Sequence, residues 1–300
     1  MLLFRGADFL TGLAAGLAAF GATLAWAIRA RRHAEWPGDD RGHSVLVPAG
    51  VLFALAGTVA LLVRGQGGVE LAAGVVLLGF AGRRGRSSIA AVAPVAGLAG
   101  VLVVAHASPP DAGSPEVWAL AALGAAAVPL VVRAERLDPP GSSSYLALAF
   151  LGVFFTVPDT ETAAVLLGTV IPLGLAAWPR PLARLGPAGA AALTGLLVYC
   201  AGQGGWARPG TMVASVACLG ILLVLPCVDF VRPRAARRLL EAPLEARGLV
   251  QLGIVFLASR VLVAHDLATA AGLEGSFLAL LTLAVVVLAR TDRHRRTEVS

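Results

Sequence analysis

Hydrophobic residues along this chain fall into eleven long runs that short polar segments separate. The runs cover about residues 8–28, 44–63, 66–82, 88–106, 116–132, 143–158, 160–178, 187–203, 210–228, 248–265 and 272–289. Each is close to the roughly 20 residues that a helix needs to cross about 30 Å of hydrocarbon. The pattern therefore predicts an all-α polytopic integral membrane protein with about eleven transmembrane helices.

The arginine distribution predicts the orientation of these spans. Alternating spans divide the connecting segments into two sets, and 20 of the 24 basic residues, all arginine, fall into one set. Positive residues are enriched on the cytoplasmic side of membrane proteins. We therefore expect the N-terminus outside, the C-terminus in the cytoplasm, and the protein in the plasma membrane as a multi-pass chain.

The chain also carries signs of an internal duplication. Anchors of the rarer residue types recur in the same order and on the same predicted side, pairing Asp8 with Asp159, Arg29 with Arg180, Pro48 with Pro187, Gln66 with Gln203, His106 with His265 and Glu116 with Glu274. Two odd-numbered units can share one orientation only if an extra span lies between them. The anchors therefore predict two parallel five-helix repeats in a 5+1+5 arrangement.

This prediction divides the chain into four parts. Repeat 1 covers 1–136, a linker span covers 137–158, repeat 2 covers 159–293, and a cytoplasmic tail covers 294–300. In layout alone, the plan is similar to the three-one-three arrangement of the SWEET sugar exporters. Repeats of this kind place matched half-sites around an axis along the membrane normal.

Composition narrows the possible functions. The chain is 57% hydrophobic and 14% charged with a mean hydropathy of +0.81, whereas soluble domains are about 25% charged. It contains no lysine, so a phosphate-loop lysine and a lysine Schiff base are both excluded. The net charge of +6 follows from the cytoplasmic arginines, so we expect no nucleic-acid partner. Cys200, Cys218 and Cys227 show no metal-ligand spacing, and we expect no metal and no cofactor.

Acidic residues at the predicted outer ends are the first candidates for function. Asp159 and Glu161 lie in a tight turn between two short spans, and buried carboxylates there suit proton coupling. Glu116 begins an inward-running helix after a Ser-Pro pair. The alternative for all three is a structural one, because carboxylates at helix N-termini bind free backbone N–H groups and complement the helix dipole.

Three further residues complete the candidate substrate or proton site. Arg260 is the most embedded charge, and it either binds an acidic partner or extends to the outer interface. His106 and His265 are paired by the duplication, and as a pair they suit proton relay. Interfacial histidines also occur without relaying protons or binding a metal ion, and no third metal ligand at fixed spacing accompanies this pair.

We expect the lipid bilayer to be the main partner. The added cytoplasmic segment 232–247 carries five arginines among leucines, which is typical of an amphipathic segment on an anionic leaflet. Arg234, Arg237 and Arg238 are its candidate contacts with anionic lipid.

Two functions of different classes fit the sequence. The duplication and the outer charges favour a permease or flippase for a small or lipid-linked substrate, and a proton-coupled one if the carboxylates titrate. The shortage of polar residues within the spans favours a non-catalytic membrane subunit or scaffold of a cell-envelope complex, with a membrane protein as partner. A transferase of lipid-linked groups ranks third, because such an enzyme needs a large outer loop and the longest here is about ten residues.

Overall fold

The computed structural model describes residues 2–32, 47–84, 127–138, 142, 146, 149–150, 161–177, 183–203, 229 and 231. Its elements are α1 (Leu2–Arg32), β1 (Val47–Pro48), α2 (Gly50–Val63), α3 (Val69–Arg84), α4 (Glu161–Ala177), β2 (Ala183–Arg184) and α5 (Gly186–Gln203). Residues 127–137 are also helical. The described part is thus helical except for one two-residue strand pair.

A glycine in the left-handed conformation ends α2. Gly65 has φ +68°, its N–H donates to the Leu62 carbonyl, and the Gln66 N–H donates to the Leu61 carbonyl. This pair of hydrogen bonds is the Schellman motif, which satisfies the last carbonyl groups of a helix and favours glycine because glycine has no Cβ. The turn brings Gln66 back over the end of α2.

Helices α1 and α4 run parallel to one another in close contact. A Cβ atom on Gly12 would overlap the backbone of Val165, and a Cβ on Gly16, one turn further along α1, would lie 2.5 Å from the carbonyl oxygen of Thr169, one turn further along α4. Both contacts increase in residue number in the same direction, which fixes the helices as parallel. Glycine is needed at these positions because any side chain would hold the two backbones apart.

Helices α2 and α5 are parallel as well. Gly50 meets Gly189 at their beginnings, and seven residues further along, Gly57 meets the side chain of Leu196. The strands that precede them also pair in parallel, with Pro48 opposite Arg184. A β-bridge and a backbone-to-backbone contact thus hold the starts of α2 and α5 together.

Helix α1 runs antiparallel to α2, and α3 runs antiparallel to α5. Asp8 near the start of α1 pairs with Arg64 just after the end of α2. Gly82 near the end of α3 contacts Pro187 at the start of α5, whereas Leu78 contacts Gly195 further along α5. Helices α1, α3 and α4 therefore run in one direction, and α2 and α5 run in the other.

Helix α5 lies in the interior, since residues 189–200 are all buried. Helix α2 instead exposes one apolar stripe, formed by Val51, Leu55, Val59 and Leu62, each 39–55% exposed. Only Gly6–Arg29, of the helices in the described ranges, is both long and apolar enough to cross a membrane. The other four apolar helical segments of this part are 14 or 15 residues long, about 21 to 23 Å of helix.

Five of the predicted runs correspond to the five helices, with shifted ends. Helix α1 extends from Leu2 to Arg32, beyond both predicted limits. The second run begins as strand β1, so α2 starts only at Gly50. The helix predicted to end at 132 continues to 137. Helix α5 ends at Gln203, the last residue of the predicted run 187–203. The runs 88–106, 210–228, 248–265 and 272–289 lie outside the described residues.

Candidate functional site

Polar contacts between helices lie mainly at the two ends of the described bundle, and one further contact, from the Thr169 hydroxyl to the Gly12 carbonyl at 3.2 Å, lies between them. The outer end, as the arginine distribution predicts it, is where α1 and α4 begin and where α2 and α5 end. The inner end is where α2 and α5 begin. In between, the hydroxyl groups of Thr58 and Thr194 donate to carbonyl groups one turn earlier in their own helices, which leaves them satisfied within an apolar layer.

An ion pair joins α1 to the turn after α2 at the outer end. Arg64 donates through Nε to Asp8 Oδ1 at 2.5 Å. The Asp8 side chain is 2% exposed and that of Arg64 is 36% exposed. A buried carboxylate is tolerated when a cation and a hydrogen bond compensate its lost hydration. The pair therefore fixes the outer end of α1 to the outer end of α2.

Gln66 is the second outer contact, and it binds two helices of the other predicted repeat. Its Nε2 donates to Glu161 Oε2 at 3.1 Å, and its backbone carbonyl accepts from the Tyr199 hydroxyl at 2.5 Å. Its Oε1 is buried and has no hydrogen-bond partner within the described part. The Schellman turn at Gly65 explains this position, because it places Gln66 between α4 and α5.

A buried glutamate makes the corresponding contact at the inner end. Glu135, 3% exposed, accepts a hydrogen bond at Oε1 from the Gly186 N–H at 3.0 Å. Burial raises the pKa of this carboxyl above its usual 4.5, and Arg184, the Gly186 hydrogen bond and Arg136 lower it by smaller amounts. The carboxyl satisfies a free N–H at the start of α5 and connects helix 127–137 to that helix.

A second inner contact lies beside it. Arg133 donates to Asp229 Oδ2 through Nη2 at 2.6 Å and through Nε at 3.1 Å. The side chains are 46% and 15% exposed, respectively. Both nitrogens approach one oxygen, so the guanidinium clamps a single carboxylate atom. Helix 127–137 is thereby connected to a residue that the duplication assigns to repeat 2.

The structure describes one of the six predicted site residues. Glu161 lies in the first turn of α4, is exposed, and binds Gln66. Asp159, Arg260, His265, His106 and Glu116, and the lipid candidates Arg234, Arg237 and Arg238, lie outside the described residues. In the described ranges, no group of three or more His, Cys, Asp or Glu residues could hold a metal ion.

Sequence reasoning did not single out the partners that these contacts use. Asp8 is an anchor of the duplication and one of the acids on the predicted outer face, Gln66 is only an anchor, and Glu135 lies in the segment 133–136 that closes the first copy of the duplication. One signal was available for Glu135, because it is an acid between two arginines directly after an apolar run. Tyr199, one of two tyrosines in the chain, gave none, because its partner is a backbone carbonyl 133 residues away.

No protein-family model matches this sequence, and no curated protein matches it significantly.

Proposed function

We propose that this chain is a multi-pass plasma-membrane protein of two parallel five-helix repeats, and that it acts as a permease or flippase for a small or lipid-linked substrate. One observation carries the proposal: the helices that the duplication makes equivalent, α1 with α4 and α2 with α5, are parallel neighbours. Two units around an axis along the membrane normal form the framework in which one unit can move against the other.

The contact registers support the duplication. Gly50 and Gly57 meet residues 139 positions later, Gly189 and Leu196, and the anchors Pro48 and Pro187 have the same offset. Equivalent residues meet each other in this way only close to a twofold axis. The α1 and α4 contacts have an offset of 153, two residues from the 151 of their anchors, so the proposed symmetry is approximate there.

The exposed apolar stripe of α2 supports the membrane setting. Val51, Leu55, Val59 and Leu62 lie along one side of the helix, where lipid chains solvate them without the free-energy cost of exposure to water. Asp, Glu and Arg residues in the described helices lie near helix ends. That distribution matches a hydrocarbon layer between two polar interfaces.

The second candidate is a scaffold subunit of a cell-envelope complex, and the packing between the repeats favours it. Gly12, Gly16, Gly50, Gly168 and Gly189 bring backbones into direct contact, and the described layer between the ends is apolar. A transporter must open this seam during its cycle, whereas a scaffold keeps it closed.

Flux through the purified protein distinguishes the two functions. Proteoliposomes loaded with a pH-sensitive dye would report proton flux for the wild type, Glu161→Gln and Arg260→Ala. We expect flux in the wild type and a loss of it in both variants, because a carboxylate and an arginine on the outer side are the proposed proton and substrate contacts. Glu70→Gln is the matched control, because Glu70 also lies in the first turn of an outer-starting helix.

Dye-loaded liposomes can fail to report an uncoupled transporter, so exchange of fluorescent lipid analogues between leaflets provides a second readout for flippase activity. If the wild type, both variants and empty liposomes give the same signal in both assays, the transporter function is ruled out and the scaffold function is favoured. Equal flux in all protein samples would instead remove Glu161 and Arg260 from the mechanism.

A further inference from the structure

We propose that the polar contacts at the two ends are a pair of clamps between the repeats, and that they open alternately. The outer clamp consists of Gln66 with Glu161 and Tyr199. The inner clamp consists of Glu135 with Gly186 and of Arg133 with Asp229. This inference rests on the proposed function, because the clamps are assigned to the outside and the inside by the predicted orientation.

Every contact in both clamps joins one repeat to the other. Gln66, Glu135 and Arg133 belong to repeat 1. Their partners, which all belong to repeat 2, are Glu161, Gly186, Tyr199 and Asp229. Contacts of this kind break when the repeats separate at that end and persist when they separate at the other. Each set of contacts is therefore broken when its own end is open, and each set stabilises the closed state of that end.

Few hydrogen bonds join the repeats in the described layer between the clamps. This layer consists of small and apolar residues, and its one described polar contact between repeats is weak: the Thr169 hydroxyl lies 3.2 Å from the Gly12 carbonyl but 2.9 Å from the Val165 carbonyl of its own helix. One hydroxyl proton serves one acceptor well at a time. The hydrogen bonds that must break on opening are therefore concentrated at the ends.

The outer clamp is incompletely satisfied. Gln66 Oε1 is buried without a partner among the described residues, and an unsatisfied buried oxygen destabilises the closed arrangement relative to one in which water reaches it. The inner clamp has no such oxygen in the described part of the chain, and the pairing of β1 with β2 also joins the repeats at that end. We infer that the outer end opens more readily than the inner end.

The Asp8–Arg64 pair provides a matched control. It lies at the same end as the outer clamp, but both residues belong to repeat 1. Breaking it should disturb the outer end locally without changing how far the repeats separate. A general loosening of the outer end would give the same result for both contacts, so the comparison isolates the contacts between repeats.

A single cysteine in the seam can report opening without any knowledge of the substrate. Thr169→Cys is suitable, because Thr169 is fully buried and contacts Gly12 of the other repeat. The three natural cysteines are replaced by alanine, and a charged, membrane-impermeant thiol reagent is added to whole cells or to inside-out vesicles. The labelling rate then measures access to the seam from each side.

We expect Tyr199→Phe to raise the labelling rate from outside about fivefold, since the hydrogen bond that it loses to the Gln66 carbonyl is worth roughly 1 kcal/mol. Arg133→Ala should raise the rate from inside by about two- to fivefold, since a partly exposed ion pair contributes less. Arg64→Ala should leave both rates unchanged. Circular dichroism of each variant verifies that the helices remain folded.

Unchanged rates in folded clamp variants, or equal increases from both sides, would overturn the clamps. Proton or lipid flux in the same preparations separates this result from a failure of the proposed function. If the wild type shows flux but the labelling rates do not change in the clamp variants, the clamp proposal is wrong and the transporter proposal stands. If labelling changes on the expected side but no flux is seen, the clamps hold the repeats together and the transporter proposal is wrong.

Discussion

Replacing Gly16 by alanine should destabilise the protein, although alanine is the better helix former. A Cβ atom at this position would lie 2.5 Å from the Thr169 carbonyl oxygen and 3.0 Å from its Cα atom. Backbone atoms cannot move aside as a flexible side chain can, so α1 and α4 must separate by about half an ångström. A gap of about that size already removes a quarter or more of the van der Waals attraction of each contacting atom pair.

The magnitude follows from two opposing effects. Alanine in place of glycine stabilises a helix interior by up to about 1 kcal/mol, whereas overpacking of a closed interface destabilises it by about 1 to 3 kcal/mol. The contact between α1 and α4 is backbone against backbone, so we expect the upper part of that range. The net decrease in the free energy of unfolding should be roughly 1 to 2 kcal/mol.

Gly21→Ala is the matched control, because Gly21 lies on the same helix and a Cβ there would meet no atom within 4 Å. It should be neutral or stabilise by up to about 1 kcal/mol. Equilibrium unfolding in mixed micelles at increasing mole fractions of denaturing detergent, followed by circular dichroism, measures both variants. Equal unfolding curves for Gly16→Ala and Gly21→Ala would refute the close approach of α1 and α4.

Three further predictions concern the polar ends. Arg64→Ala should lower the free energy of unfolding by roughly 1 to 3 kcal/mol, because it leaves the buried Asp8 carboxylate without its cation. Adding Asp8→Asn should recover part of that loss, because the buried group is then neutral. Detergent unfolding of the single and double variants measures both effects. Because burial raises the pKa of Glu135 above 4.5, the folded state binds the proton more tightly, so the contribution of this group to stability should be full below pH 4.5 and should be lost as the pH rises through the raised pKa. Glu135→Gln should remove this step from the pH profile of unfolding, and an unchanged profile would contradict the assignment. Finally, an impermeant thiol reagent applied to whole cells should label Val69→Cys but not Arg29→Cys, both exposed sites; the reverse pattern would invert the orientation.

The helices themselves could be predicted from residue type and spacing. The start of α4 at Glu161 and the start of α5 at Gly186 lie within one residue of the runs 160–178 and 187–203, because length and hydropathy alone decide where a helix can lie in hydrocarbon. Helix ends were harder to predict. Residues 133–137 remain helical beyond a polar boundary, since the buried Glu135 finds its partner on another helix and the local polarity does not end the segment.

The site was less accessible to sequence reasoning. The sequence predicts Glu161 as a charged residue at an outer turn, and the structure gives it a partner, Gln66, that the sequence marks only as an anchor of the duplication. Tyr199 donates to the backbone carbonyl of that residue, and a backbone acceptor leaves no mark in the sequence. Asp159 and Arg260 lie outside the described residues, so their roles stay predictions.

The sequence by itself determined that the described chain is helical and about where its five helices lie, because both properties follow from the length and hydropathy of the apolar runs. Only the tertiary structure decided which helices touch and at which residues. Gly12 approaches Val165 and Gly50 approaches Gly189 because backbones can meet only where both surfaces lack side chains. That complementarity belongs to two distant segments at once, and neither segment encodes it alone.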